Sequence, residues 1–177
     1  MIKGLFRIAG LSRASTAEKR LREIMNAPKY FYLNDRVNSD YYDKTQVEAI
    51  EAALNEKILV ITGGPGTGKS TITKGIISAY AAAEVLLAAP TGRAAKRLSE
   101  VTHMGAKTIH QLLEMRPPEG FQRDEDNKLE GDVLIVDECS MVDLLLMYSL
   151  LKAVPDHMTV ISSGTSTSSQ ALVQGRP

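Results

Sequence analysis

Apolar residues along this chain fall into two alternating patterns. Short, nearly unbroken apolar runs occupy residues 57–62, 85–89, 132–137 and 158–161. Each has strand length and reads as a strand buried on both faces, the signature of a parallel sheet. Between them the spacing turns helical. Val47, Ile50 and Leu54 predict a helix of about three turns, and further helices are predicted over residues 70–83, 92–101, 108–115 and 143–153. Asp43 and Thr45 are both competent N-caps, because Gln46 and Glu48 respectively follow three residues on, the capping-box spacing. Residues 116–130 hold two prolines and the run Asp124-Glu125-Asp126, and predict a loop or small hairpin. Strands alternating with helices argue an α/β fold. No internal repeat is visible.

The ends read differently. Residues 1–41 form an N-terminal appendage, with a charged helical pattern over residues 17–25, Leu21 and Ile24 at helical spacing, and a break at Pro28. Residues 29–33 are expected to pack back on the core. Tyr30, Tyr32, Tyr41 and Tyr42 suit either stacking on bases or lining the core's edge, and the charges beside them favour the second. Residues 162–177 are rich in Ser and Thr, the composition of a flexible tail.

Composition narrows the class without naming a chemistry. At 177 residues one domain is expected. With 44% hydrophobic and 24% charged residues the chain is of ordinary globular type, not collagen-like or mainly disordered. Lys+Arg and Asp+Glu are both 21, so any nucleic-acid contact must come from a local patch rather than an overall basic field. The single cysteine, Cys139, excludes an internal disulfide and a cysteine-built zinc site. No apolar run approaches the ~20 residues of a membrane span. The expectation is a cytoplasmic protein with no membrane attachment.

Two motifs carry chemistry. Gly63-Gly64-Pro65-Gly66-Thr67-Gly68-Lys69-Ser70 matches G-x-x-x-x-G-K-[ST] between a predicted strand and a predicted helix, the context that motif requires. The glycines allow a loop whose N–H groups turn inward around phosphate oxygens, and the helix N-terminus adds partial positive charge. Lys69 is then placed to reach the β- and γ-phosphates, and the Ser70 hydroxyl to hold Mg²⁺. The second motif is Val133-Leu134-Ile135-Val136-Asp137-Glu138. A carboxylate ending a buried strand lies at the sheet's carboxyl edge, where ligands bind. Asp137 is expected to organise the magnesium shell and Glu138 to orient or deprotonate the attacking water. An apolar run ending in Asp-Glu is weak alone and strong after a phosphate loop. A small-molecule kinase would not need that glutamate, so nucleoside-triphosphate hydrolysis is the better reading.

Arg93, Lys96 and Arg97, after the Pro90-Thr91-Gly92 turn, make a local basic patch able to hold nucleic-acid phosphates. The plainer reading is a solvated helix face. His103, His110 and His157 show no metal spacing, and Cys139 reads as a buried small residue.

GGPGTGKST, APTGRAAKRLSE, TIHQLLE and IVDECSMVD, in that order, resemble the first motor domain of RecD-like superfamily 1 DNA helicases over about residues 43–161. The resemblance implies a phosphate-loop NTPase with a RecA-like parallel sheet flanked by helices, truncated at its C-terminal side. It places ATP and Mg²⁺ on Gln46, Gly63, Gly64, Pro65, Gly66, Thr67, Gly68, Lys69, Ser70 and Thr71, with Gln46 at the adenine. Catalytic roles fall to Lys69, Asp137 and Glu138, and magnesium to Ser70 and Asp137. Single-stranded DNA would lie on Pro90, Thr91, Gly92 and Arg93, and residues 116–130 sit where the family has a strand-separating pin. Gln111 stands where the family often has arginine. The domains implied are 1–41, a motor domain over 42–161, and an out-of-frame or disordered tail over 162–177.

That last expectation has a coding argument. A back-translation of residues 162–175, shifted by one base, reads L-V-G-D-I-D-Q-L-P-S-V-G-P-G, which resembles the family's next motif. A second motor domain and a fifth strand beside residues 57–62 are expected to be missing, leaving that strand as an exposed edge. The rival functions are an AAA-type ATPase, disfavoured by APTGRAA and TIHQLLE, and an inactive nucleotide-binding fragment.

Overall fold

The computed structural model describes residues 11–27, 41–64, 66–165 and 172–174. The stretch 29–33, with Tyr30 and Tyr32, lies outside the described residues. Helices α1 (Leu11–Asn26), α2 (Lys44–Asn55), α3 (Lys69–Ala79), α4 (Gly92–Thr102), α5 (Ile109–Leu112) and α6 (Leu144–Ala153) surround one sheet. Its strands are β1 (Ile58–Gly63), β2 (Val85–Ala89), β3 (Ala106–Thr108), β4 (Val133–Val136), β5 (Thr159–Thr165) and β6 (Leu172–Gln174), in the order β3-β2-β4-β5-β1-β6. The first five are parallel to their neighbours, as the apolar runs require, while β6 pairs antiparallel with β1.

Period-two alternation sends successive side chains of each strand to opposite faces. Leu59 and Ile61 of β1, Val133 and Ile135 of β4, and Ile161 of β5 join α2, α3 and Leu98 of α4. Leu134 and Val136 of β4 and Val160 of β5 join α1, α5 and α6. On the first face α2 and α3 pack very closely. A Cβ on Gly75 of α3 would meet Ile50 Cδ1 of α2 at 2.3 Å, so only glycine allows this approach. The second face is closed by α1, whose Ala17, Leu21 and Ile24 are buried. Helix α1 is thereby part of this core.

The charged groups on this second face close a helix end. The C-terminal carbonyls of a helix lack partners within it. Here Leu151 O accepts from Arg20 Nε (3.3 Å), Lys152 O from Lys128 Nζ (2.8 Å), Ala153 O from Leu129 N (2.8 Å) and Val154 O from Arg20 Nη2 (2.6 Å). Residues 116–130 thus dock against the end of α6 through Lys128 and Leu129. The predicted hairpin exists in miniature: Arg116 and Gly120 exchange both backbone bonds, at 2.9 and 2.8 Å. Arg123 ties the segment together by bonding Glu114, Lys128 O and Glu130.

Several boundaries differ from the sequence expectation. Asp43, not Thr45, caps α2: its carboxylate accepts from Gln46 N (2.9 Å) and Gln46 Oε1 accepts from Asp43 N (3.1 Å). The helix expected over 108–115 is only Ile109–Leu112, because residues 106–108 form β3 beside β2. The boundary expected at Ile161 falls inside β5, whose residues 162–165 continue alongside β1. The exposed edge expected at β1 is corrected too, since β6 covers it at Val60–Thr62.

Candidate nucleotide site

The loop between β1 and α3 is shaped by two glycines with left-handed backbones, Gly66 at φ 77° and Gly68 at φ 78°. At Gly68 the requirement is double, because a Cβ there would meet Gln46 Nε2 at 2.4 Å. Gln46 therefore lies directly over the end of the loop, held by its capping bond to Asp43. Thr67 Oγ1 donates to Gly64 O (2.9 Å). The Lys69 ammonium curls back to the loop, donating to Gly63 O and Gly64 O at 2.7 Å each. Pro65 is outside the described residues. Ser70 and Thr71 are exposed in the first turn of α3, and Gly68 O accepts from Ile72 N (3.0 Å). These are the uncapped helix start and the nearby cation that an anion needs.

Asp137 follows β4 directly, its N–H bonded to Ala88 O of β2 (2.9 Å). That bond fixes the carboxylate at the carboxyl edge of the sheet. Ser163 of β5 donates to Asp137 Oδ1 in a short hydrogen bond. One crevice is lined by Ser70, Thr73, Arg97, Leu98, Val101 and Asp137, so the two expected magnesium ligands face a common space. A hydroxyl and a carboxylate fit the hard, oxygen-preferring Mg²⁺, which is commonly bound through one or two carboxylates plus substrate phosphates. Among the described residues no group of three or more His, Cys, Asp and Glu could form an all-protein metal cage.

Glu138 has φ 52°. A non-glycine residue in the left-handed region costs free energy, and such residues cluster at functional sites. The turn is stabilised behind it by Met141 N donating to Glu138 O (3.0 Å). Cys139, next along, has its thiol pushed up to about 11, chiefly by burial, so it is inert as a nucleophile at neutral pH. The histidines stay structural: His110 tilts against Phe121, His157 Nε2 contacts Gly131 O (3.1 Å), and His103 ends α4.

At the carboxyl end of β2, Thr91 caps α4 by accepting from Ala94 N (3.2 Å). Thr91, Gly92 and Arg93 are exposed and Pro90 half-buried. The structure therefore keeps the expected DNA residues in one accessible turn, apart from the phosphate loop. Arg97, grouped with that basic patch from sequence, instead faces the crevice with Ser70 and Asp137. Ser163 was missed because its segment read as tail.

A family model described as an AAA domain matches residues 46–172. The chain belongs to that family. Over part of their length, RecD-type and other DNA helicases are similar to it in sequence. It is 42% identical to the ATP-dependent RecD2 DNA helicase of Deinococcus radiodurans over 134 residues, covering 75% of this chain and 19% of that protein. With the RecBCD enzyme subunit RecD of Mycobacterium tuberculosis it shares 39% identity, covering 62% of this chain and 23% of the relative. The ATP-dependent DNA helicase dda of Enterobacteria phage T4 is 36% identical, over 68% of this chain and 30% of that protein. The chain thus spans between a fifth and a third of these relatives. Among the described residues no helix is long and apolar enough to cross a membrane.

Proposed function

We propose that this motor domain binds Mg-ATP at residues 63–71 and, in the intact enzyme, hydrolyses it to move along single-stranded DNA and unwind duplex. The observation that carries the reading is the meeting of Ser70 and Asp137 in one crevice beside the loop held by Lys69. A helicase needs the hydrolysis cycle, and these groups suit it. Lys69 exchanges its two carbonyl acceptors for β- and γ-phosphate oxygens, which are far better acceptors for an ammonium. The backbone N–H groups at the start of α3 and the loop take the remaining oxygens. Ser70 and Asp137 would hold a magnesium ion, which when bound would neutralise phosphate charge. Glu138 orients a water in line with the γ-phosphorus and accepts its proton as the bond to the bridging oxygen breaks. Gln46 serves the adenine, and its anchoring by Asp43 keeps it at the mouth of the loop.

Pro90, Thr91, Gly92 and Arg93 hold phosphates of single-stranded DNA, supported by the exposure of Thr91, Gly92 and Arg93 and by the charge of Arg93. A cytoplasmic setting belongs to this reading, supported by the free thiol of Cys139. A second motor domain would complete the cycle by adding charge across the cleft. The test is Mg-ATP binding by the parent chain and by Lys69→Ala, together with ATP turnover with and without single-stranded DNA. Lys69→Ala is expected to abolish binding. Equal binding by both chains would overturn the site assignment, and indifference to DNA would leave only a nucleotide-binding module.

A further inference from the structure

Helix α4 connects the two parts of that proposal physically. Its buried face, Ala94, Ala95 and Leu98, fixes it on the sheet and on the core. Residues four apart on a helix lie on one stripe, one turn from each other. Arg93, Arg97 and Val101 form such a stripe. Its upper end, Arg93, stands beside the Thr91-Gly92 turn. Its middle and lower members, Arg97 and Val101, line the crevice with Ser70, Thr73 and Asp137. The neighbouring stripe behaves differently: Lys96 pairs with Glu100 on the surface. Arg97 makes no ion pair with any carboxylate among the described residues, although Asp137 shares its crevice. A positive side chain lining the same crevice as Asp137 and Ser70 is near enough to respond to charge that arrives there.

We propose that Arg97 is a positioning residue that couples the Ser70–Asp137 crevice to the Thr91–Gly92 turn through α4, so that Mg-nucleotide and single-stranded DNA change each other's affinity. The inference rests on the functional reading above. Coupling of this kind is reciprocal and typically amounts to about 5- to 150-fold in affinity. The guanidinium acts by its charge and reach, so Arg97→Lys keeps part of the effect and Arg97→Gln removes it.

The experiment measures the affinity of the full chain for a single-stranded oligonucleotide, with and without a non-hydrolysable Mg-ATP analogue, across a salt series. Parent, Arg97→Lys, Arg97→Gln and Lys96→Gln chains are compared. The expected result is a nucleotide-dependent shift in the parent, retained in Lys96→Gln, reduced in Arg97→Lys and lost in Arg97→Gln. Nucleotide-free DNA affinity and its salt slope stay unchanged in Arg97→Gln. If that variant instead binds DNA more weakly without nucleotide, with a salt slope shallower by about one, Arg97 is a phosphate contact and the proposal falls. An undiminished shift in Arg97→Gln overturns it as well, as does a parent that binds both ligands with no shift. A parent that binds neither ligand overturns the functional reading itself, a result distinct from these.

Discussion

The two faces of the sheet are built from the same alternating strands yet use their polar groups in opposite ways. On the α1–α6 face the cations are spent on closure. Arg20 and Lys128 donate to the last carbonyls of α6, and Arg123 neutralises Glu114 and Glu130. On the α2–α3–α4 face one helix start is left open: α2 and α4 are capped by Asp43 and Thr91, whereas α3 begins from glycine without a side-chain cap, and Lys69 bonds only loop carbonyls. A satisfied helix end stabilises; an unsatisfied one at a surface is a place for a ligand. The contrast separates the scaffold from the site within one small core.

The largest expected effect tests whether the faces are separable. Ile24 in α1 and Ile50 in α2 are both fully buried, and replacing either by alanine should cost about 2–5 kcal/mol. Denaturant melts should show similar losses. Nucleotide affinity of the folded fraction should survive Ile24→Ala and fall in Ile50→Ala, because Ile50 abuts Gly75 and shares its helix with Gln46. Equal loss of affinity in both would erase the distinction.

A smaller effect is expected from Arg20→Gln, about 1.5–3 kcal/mol, the range for hydrogen bonds to a charged group. Its measurement is the melting midpoint at low and high salt. The loss should persist in high salt, since the bonds to Leu151 O and Val154 O are half-buried, whereas a purely surface contribution through Asp156 would be screened.

The smallest is a pH effect. Burial pushes the Tyr80 phenol up to about 12 from 10.0, while its hydroxyl donates to Ala53 O at 2.7 Å. A raised folded value means the folded chain holds its proton more tightly. The associated stability is whole below pH 10 and is lost as pH rises toward 12. Tyr80→Phe should lose a little stability at neutral pH and show a shallower decline in alkali. Cys139 adds in the same sense between pH 9 and about 11. A parallel decline in parent and Tyr80→Phe would remove Tyr80 from the account.

Most of the sheet was legible because its strands are apolar on both sides, a pattern few other structures produce. The phosphate loop was legible because glycine, lysine and serine at those spacings have a local geometric reason. The capping box at the start of α2 was legible by the same local rules, although two caps, Asp43 and Thr45, fitted the spacing. What escaped depends on distant parts of the chain. Strand β3 is three residues with a polar centre, and only pairing with β2 makes it a strand. Strand β6 exists through its partner β1. The docking of α1 needs α6, more than a hundred residues further on, as the Arg20–Leu151 bond illustrates. Arg97 carried a basic residue's usual ambiguity, and only the position of α4 against α3 turns it toward Asp137.

The position of β1 in the sheet also governs the order in which the chain can be assembled. Its parallel partner is β5, joined at this end by Lys57 Nζ donating to His157 O, 100 residues along the chain. During synthesis the phosphate loop is therefore complete in sequence long before the strand that anchors it has a neighbour. Non-local parallel pairing forms slowly, because loop closure must precede the contacts that reward it. Until β5 emerges, an apolar four-residue run stands unpaired beside a glycine-rich loop. The nascent chain thus passes through an interval of exposure to aggregation that the finished sheet conceals.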